Sequence, residues 1–178
     1  SVSTKDLERP VWSMLNGPQG HLAKSLGLAV RIDPAFGPFA AAEDMSEEAQ
    51  FDLSRLVRES GEDVWLVERE EWPAPRGTKT VRTAPLVQMV ARGASDLPKE
   101  DFGIVPLGSA DVPAMTELAL ATEPGPWAKS THQYGPFFGI RDGQELAAMA
   151  GQRMRPAVGL AEVSGVCTWP QYRGQGMA

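Results

Sequence analysis

The stretch from Leu160 to Ala178 constrains the fold more than any other part of the chain. Its first nine residues are rich in small and β-branched side chains, which favours a β-strand that ends before Pro170. Arg173-Gly-Gln-Gly-Met-Ala178 then places glycines where a backbone turns sharply or comes close to a ligand. A strand that leads through a glycine loop into a helix presents free backbone N–H groups to an anion. The pattern therefore predicts a phosphate-binding loop at the end of a strand.

The spacing of this loop selects one kind of phosphate site. No Gly-Lys-Ser/Thr follows, so it is not a P-loop, and the glycines do not fit the dinucleotide pattern G-x-G-x-x-G. The residues fit Arg/Gln-x-x-Gly-x-Gly/Ala, with Arg173, Gly176 and Ala178 in place and Tyr172 just before. This resembles the coenzyme A pyrophosphate loop of the GNAT acetyltransferases, and more narrowly their FR47-like branch. A glycine-rich turn without a ligand is the alternative.

Four upstream segments, in this order, are also similar to that branch: Glu123-Pro-Gly-Pro-Trp127, Phe137-Phe-Gly-Ile-Arg141, Met149-Ala-Gly-Gln-Arg153 and Ala161-Glu-Val-Ser-Gly-Val-Cys-Thr168. The resemblance implies an α/β, GNAT-like fold with a mixed, mostly antiparallel sheet flanked by helices. We expect a GNAT domain over residues 101–178, preceded by an N-terminal α/β region over residues 1–95. One interpretation of that region is a degenerate copy of the same fold.

The two ends of the sequence indicate that the chain is a fragment of a longer protein. It starts with Ser1, and it stops at the last residue of the loop motif, where the family continues with a helix and further strands. We expect the absence of this helix and these strands to weaken coenzyme A binding. Their absence also leaves an incomplete sheet, through which a second copy or another chain would pair.

Composition narrows the class of partner and compartment. A formal net charge of −6 argues against nucleic acid, and the chain has no signal peptide and no apolar run of membrane-spanning length. The single cysteine, Cys167, excludes an internal disulfide and suits a reducing cytoplasm. With only two histidines besides it, no metal-ligand spacing is present, so no metal is expected.

Hydrophobic patterning predicts the elements that lead to the loop. A capping box at Asp44 should begin a helix that Gly61 ends, with Phe51, Leu53, Leu56 and Val57 as its apolar stripe. Asp142-Gly143 predicts a tight hairpin turn. Helices are expected at residues 10–15, 21–26, 44–60 and 111–122, strands at 28–32, 64–67, 85–91, 102–107, 136–141, 144–155 and 158–168, and a domain boundary at 92–100.

The resemblance assigns acetyl-CoA to this loop and to the strand before it. Backbone groups of Val166, Cys167 and Thr168 would hydrogen-bond pantetheine like an added strand. An amide near Val166 would stabilise the oxyanion. The residues assigned to pyrophosphate are Arg173, Gly174, Gln175, Gly176, Met177 and Ala178. Arg173 either contacts phosphate or braces the loop.

The candidate proton acceptor is chosen by its position along the same strand. Glu162 is the candidate base, and a solvated or ion-paired strand glutamate is the alternative. Strand parity places Glu162, Ser164, Val166 and Thr168 on one face unless Gly165 marks a bulge.

Trp127, His132 and Tyr134 are candidate substrate contacts, or an aromatic loop that packs on the sheet. Acyl transfer through Cys167 is disfavoured, because a lone cysteine in an apolar strand usually serves as a small buried hydrophobe. The sequence therefore predicts an acyl-CoA-dependent N-acyltransferase that transfers acetyl directly to a primary amine of unknown identity. The alternative is a non-catalytic GNAT-like binding or scaffolding module.

Overall fold

The computed structural model describes residues 4–93 and 103–178, and it contains two antiparallel sheets. The first sheet has the order β1-β2-β3 and the second has the order β4-β5-β6-β7. The helices are α1 (Thr4–Glu8), α2 (Pro10–Leu15), α3 (Glu47–Ser60) and α4 (Val112–Thr122). The strands are β1 (Ala23–Leu26), β2 (Ala29–Ile32), β3 (Ala40–Ala42), β4 (Val105–Pro106), β5 (Phe137–Asp142), β6 (Glu145–Gln152) and β7 (Val163–Thr168).

Helix α3 packs on the first sheet because both surfaces are apolar and tightly fitted. Leu53 of α3 is fully buried, as are Ala40 and Ala42 of β3, whose small side chains let the helix approach closely. The hydroxyl of Ser46 accepts a hydrogen bond from the Ala49 N–H at 3.2 Å, and Gly61 ends the helix in the left-handed conformation with φ +66°. These caps satisfy backbone groups that the helix itself leaves unpaired.

The second sheet forms around the hairpin that the sequence predicted. Strands β5 and β6 pair antiparallel, with Asp142 opposite Glu145, so the two turn residues are Gly143 and Gln144. The turn begins one residue later than the Asp142-Gly143 signal implies, and Gly143 adopts φ +60°. Helix α4 covers one face of this sheet, and its Met115 and Leu118 are buried against Phe137 and Met149.

One apolar cluster joins the N-terminal region to the second half of the chain. It contains Val11, Met14 and Ile32 from the N-terminal region together with Tyr134 and Met154. Gln19, only 2% exposed, adds a polar link, since its side-chain N–H donates to the Arg153 carbonyl at 2.8 Å and its oxygen accepts from the Arg155 N–H at 2.9 Å. The two regions therefore support each other, although their division into two domains stays a prediction.

Several predicted elements are wrong, for identifiable reasons. Residues 23–26 form β1 rather than a helix, because they pair with β2 across a tight turn. Residues 64–67 make only an isolated bridge, Phe39 to Trp65, and residues 85–91 form no strand. Leu86, Val87 and Met89 of that segment are at least 75% exposed. High strand propensity does not produce a strand there, because no described strand lies beside the segment to pair with it.

Other predictions are shifted or partly wrong. Helix α3 is capped by Ser46 rather than Asp44, and Phe51 is exposed rather than part of the stripe. The last strand begins at Val163 rather than at residue 158, and β4 is shorter than predicted. Most of the predicted boundary at 92–100, and the start of the strand predicted at 102–107, lie outside the described residues. Within the described ranges, no helix is long and apolar enough to cross a membrane.

We predict that Gln19→Ala lowers the free energy of unfolding by about 1–3 kcal/mol, because it leaves the partly buried Arg153 carbonyl and Arg155 N–H without their side-chain partner. Urea denaturation of the purified protein measures this change. The matched control is Gln133→Ala, which removes an exposed glutamine and should change stability by less than about 0.5 kcal/mol. Equal effects of the two variants would show that Gln19 does not link the regions.

Candidate functional site

The predicted phosphate loop lies at the end of β7, beyond a short 3-10 turn at Pro170–Tyr172. Residues 173–178, which we call the glycine loop, are largely exposed, and Gly174 and Gly176 adopt φ +78° and +73°. A side chain is strained at such angles, so these positions favour glycine. An open depression is lined by Thr168, Tyr172, Arg173, Gly174, Gly176, Met177 and Ala178. The structure thus brings one end of the predicted strand track and most of the predicted loop residues to one recess.

Tyr172 fastens this loop to the β5–β6 hairpin. Its hydroxyl donates a hydrogen bond to Asp142 Oδ2 at 2.8 Å and to Glu145 Oε2 at 3.0 Å. The hydrogen bond to Asp142, followed in size by the one to Glu145, raises the pKa of Tyr172. Deprotonation of the phenol would place a third negative charge beside the two carboxylates. The phenol therefore stays neutral and continues to donate over the physiological range.

Arg173 braces the loop through its own strand. Its Nε donates to the Thr168 carbonyl at 3.2 Å, while the residue remains exposed. This contact matches the bracing alternative of the sequence prediction. A role in phosphate contact stays a prediction.

The backbone of β7 contains the bulge that Gly165 signalled. Thr168 and Cys167 pair with Ala148 and Met149, whereas Ser164 and Val163 pair with Gly151 and Gln152. Two residues, Gly165 and Val166, therefore lie opposite Ala150 alone, as in a β-bulge. Gly165 has φ +63°, and a Cβ there would lie only 3.0 Å from the Phe137 ring, so a larger residue does not fit without a shift.

The bulge overturns the parity argument made from the sequence. A residue added on one strand reverses the alternation beyond it, so Glu162 and Ser164 do not share a face with Val166 and Thr168 by simple parity. Glu162 also lies just before β7, although its N–H donates to the Met154 carbonyl at 2.8 Å. Val166 is 40% exposed at the bulge.

Thr168 carries a buried hydroxyl whose hydrogen-bonding capacity is unused. The residue is 8% exposed and lines the recess at the glycine loop. Its Oγ1 has no hydrogen-bond partner among the described residues. Buried hydroxyls in proteins almost always have a partner, and an orphan beside a recess is suited to a polar ligand.

Glu162 is held in an ion pair with Arg153. Its Oε1 accepts from Arg153 Nε at 2.8 Å and from the Met154 N–H at 3.3 Å, and its Oε2 accepts from Arg153 Nη2 at 3.3 Å. This is the ion-paired alternative to the candidate base. Whether Glu162 also accepts a proton stays a prediction.

A second recess lies on the other side of the bulge. We call it the bulge pocket, and its lining is formed by residues 124–127, Thr131, Phe137, Arg153, Ser164 and Gly165. Trp127 packs edge-on against Phe137 with ring centroids 5.6 Å apart, and its Nε1 donates to Thr116 Oγ1 at 3.3 Å. Of the three predicted substrate contacts, Trp127 is the one that lines this pocket.

His132 and Tyr134 lie elsewhere in the same loop. Tyr134 belongs to the cluster shared with the N-terminal region, where its ring meets Phe36 edge-on at 5.6 Å. Burial raises the pKa of Tyr134, so it is neutral at physiological pH. His132 lies in the turn Thr131–Gln133, and its Nδ1 is buried without a hydrogen-bond partner among the described residues. Their roles as substrate contacts stay predictions.

Sequence reasoning missed Arg153, Ser164 and Phe137 as pocket residues. The available signal was the arginine that follows β6, Arg153, which stands two residues before a second arginine, Arg155. An arginine in that position predicts a buried partner or a ligand, because a charge is costly to bury alone. Among the described residues, no group of three or more His, Cys, Asp or Glu side chains is arranged to hold a metal ion.

Comparison with known proteins identifies the family. The fold defines an α/β protein in which a bulged antiparallel strand leads into a glycine loop. Among solved structures, the chain is similar to a protein from Novosphingobium aromaticivorans DSM 12444 described as "Putative Acetyltransferase from the GNAT family". The two are 54% identical, with a TM-score of 0.85, and the match covers 97% of this chain and 75% of the other. The chain belongs to the GNAT family, and the predicted GNAT-like fold class is confirmed.

No protein-family model and no curated protein matches the chain.

We predict that Cys167 reacts slowly with iodoacetamide. The residue is 6% exposed, and burial raises the pKa of its thiol above the ordinary value, so less of the reactive thiolate is present at pH 8. The control is a Cys167→Ala, Gln133→Cys protein, whose thiol is exposed and should react at least about tenfold faster. Comparable rates in native buffer would show that Cys167 is accessible and would reopen an acyl-cysteine route.

Proposed function

We propose that this chain is an acyl-CoA-dependent N-acyltransferase that transfers acetyl from acetyl-CoA directly to a primary amine. The observation that carries the proposal is the recess at the end of β7, where the glycine loop meets the Thr168 hydroxyl, which has no hydrogen-bond partner in the described part of the chain. Family membership supports the acetyl donor. The four upstream segments support the FR47-like branch, and the single cysteine supports a cytoplasmic location.

The residues of the recess fit the chemistry of a phosphate-containing ligand. Backbone at Gly174 and Gly176 can approach pyrophosphate closely because no Cβ intervenes, and Gln175, Met177 and Ala178 would contribute further N–H groups. The exposed guanidinium of Arg173 adds positive charge in a chain of net charge −6. Val166, Cys167 and Thr168 would supply strand-like hydrogen bonds to pantetheine, and the Thr168 hydroxyl would gain the partner it lacks.

The bulge would place the reacting carbonyl beside the acceptor pocket. Gly165 and Val166 are outside the regular pairing with β6, so an amide there is a candidate donor to the oxyanion. The neutral amine would attack the thioester carbon, the C–S bond would break, and the sulfur would leave as the thiolate of coenzyme A. The nitrogen would lose one proton as the amide forms.

Glu162 remains the proposed proton acceptor, acting through water. It lies just before β7, and its carboxylate pairs with Arg153, which lines the bulge pocket. Trp127, His132 and Tyr134 remain the proposed contacts on the acceptor side, with Trp127 in the wall of the pocket.

We predict that Thr168→Val weakens acetyl-CoA binding by about tenfold, which corresponds to the loss of one hydrogen bond. The stability of the ligand-free protein should not fall, because the hydroxyl removed has no hydrogen-bond partner among residues 4–93 and 103–178. Calorimetry with acetyl-CoA and thermal unfolding measure the two quantities. Thr78→Val is the control, since its hydroxyl donates to the Pro75 carbonyl at 2.6 Å outside the recess, and it should leave acetyl-CoA affinity unchanged. Unchanged affinity in Thr168→Val would remove this hydroxyl from the site.

We predict that Glu162→Gln lowers kcat/KM by about 10²-fold or more, with the largest loss below the pKa of the acceptor amine, where a base is most needed. The measurement is a pH–rate profile of the variant beside the unchanged protein. A loss that is equal at every pH and lies in KM would exclude proton transfer. Glu162 would then act only as the support of Arg153.

A further inference from the structure

The glycine loop is held by hydrogen bonds only where it begins. Within residues 4–93 and 103–178, none of residues 174–178 makes a hydrogen bond, so their N–H groups are free to meet a ligand. Among the described atoms, none beyond the adjoining residues lies within 4 Å of the position that a Cβ would take on Gly174 or Gly176. The placement of the loop therefore depends on the residues that lead into it.

One side chain connects these leading residues to a different part of the sheet. The N–H of Tyr172 donates to the Trp169 carbonyl at 2.9 Å, inside the turn itself. Arg173 donates through Nε to the Thr168 carbonyl at 3.2 Å and so returns to its own strand. Among the hydrogen bonds of residues 170–178 in the described part of the chain, those of the Tyr172 hydroxyl alone reach another element, the β5–β6 hairpin.

The end of this hairpin is a charged and well-supported anchor. Asp142 and Glu145 lie directly opposite each other across the two-residue turn. Like charges in that arrangement repel, and a phenol that donates to both carboxylates offsets the repulsion. Hydrogen bonds to carboxylates are also stronger than those to neutral acceptors. The strand behind the turn is fixed in the core, where Leu146 and Met149 belong to the same buried cluster as α4.

Tyr172 also lines the recess that the glycine loop borders. This recess has a volume of about 240 Å³ and is open to solvent. A phenol has one proton to donate, and the bonds to Asp142 and Glu145 use it. The hydroxyl is therefore not free to donate to a phosphate oxygen. The side chain acts on a ligand through the loop that it holds.

We propose that Tyr172 is a positioning residue, which by bonding Asp142 and Glu145 holds residues 174–178 in the arrangement that receives the pyrophosphate of acetyl-CoA. This inference rests on the proposed acyltransferase function and names the contact that prepares its cofactor loop. A loop ordered in advance loses less conformational entropy on binding, so its affinity is higher than that of an untethered loop. Because the tether acts on the pyrophosphate loop, it affects acetyl-CoA binding and leaves the chemical step unchanged.

The test is a double-mutant cycle in acetyl-CoA affinity, measured by calorimetry. Tyr172→Phe removes only the hydroxyl and should weaken binding by about fivefold in the unchanged background. In a background of Asp142→Ala with Glu145→Ala, the same substitution should change affinity by less than about twofold, since the acceptors are already gone. Comparison within each background cancels the effect that two lost negative charges have on an anionic ligand. Equal weakening in both backgrounds, or none in either, would overturn the proposal.

A second background keeps the cycle usable if the double alanine variant does not fold. Asp142→Asn with Glu145→Gln retains the shape of both side chains but offers neutral acceptors. Since hydrogen bonds to neutral groups are weaker, Tyr172→Phe should then weaken acetyl-CoA binding by only about twofold. A loss as large as in the unchanged background would contradict a role for the carboxylates.

Steady-state kinetics separate positioning from a general loss of structure. Tyr172→Phe should raise the KM for acetyl-CoA by about fivefold, and kcat and the KM for the amine should stay within about twofold. Arg69→Gln is the control, because it removes an exposed hydrogen bond to Glu8 of 2.7 Å outside the recess, and it should change none of the three. A fall in kcat as large as the rise in KM would assign Tyr172 another role.

A measurement without ligand tests the tether itself. NMR order parameters of the Gly174 and Gly176 N–H groups report motion on the ps–ns timescale in the free protein. They should fall in Tyr172→Phe and stay the same in Arg69→Gln. Unchanged order parameters in Tyr172→Phe would overturn the proposal.

Binding of inorganic pyrophosphate distinguishes this proposal from the proposed function. If no amine is acetylated but pyrophosphate binds, and binds more weakly to Tyr172→Phe, the acyltransferase function fails and the positioning role stands. If amines are acetylated but Tyr172→Phe weakens acetyl-CoA binding equally in both backgrounds of the cycle, the positioning role fails alone. If neither acetyl-CoA nor pyrophosphate binds the unchanged protein, both fail.

Discussion

The bulge at Gly165 and Val166 is the feature on which the geometry of the site depends. It inserts one residue opposite Ala150, so the side chains of β7 change faces between Ser164 and Thr168. Without it, β6 and β7 would pair continuously. The bulge is tolerated because Gly165 accepts φ +63° and has no Cβ to meet Phe137. Gly165 lines the bulge pocket, and three residues farther along the chain Thr168 lines the recess at the glycine loop.

The N-terminal region supports this arrangement from behind. Gln19 bonds to the backbone on both sides of Met154, and Phe39 lies against the Arg153 guanidinium. Both residues come from the region that precedes α3, far from the site in sequence. Phe39 is 2% exposed and belongs to the cluster that also holds Tyr134 and Met154. The position of Arg153 is thus determined by the packing between the two regions as much as by the sheet that carries it.

Local signals in the sequence reached a large part of the fold. The β5–β6 hairpin, α4 and the end of α3 at Gly61 were predicted because turn residues and caps act over a few positions. Residues 85–91 were mistaken for a strand, since strand propensity is realised only beside a partner strand. The glycine loop was identified from spacing, whereas Arg153 was not identified as a pocket residue. Its partners Glu162, Phe39 and Gln19 are brought together by the tertiary fold, and no local pattern encodes them.

The proposed function requires that β7 and the glycine loop form the binding site for acetyl-CoA. Amide hydrogen exchange of the protein with and without saturating acetyl-CoA tests it most directly, because it reports each backbone N–H that the ligand protects. The account predicts that protection is concentrated in residues 163–178, strongest from Val166 to Thr168 and in the glycine loop. Binding that protects the first sheet and leaves residues 163–178 unchanged, or no change in exchange anywhere, would contradict it.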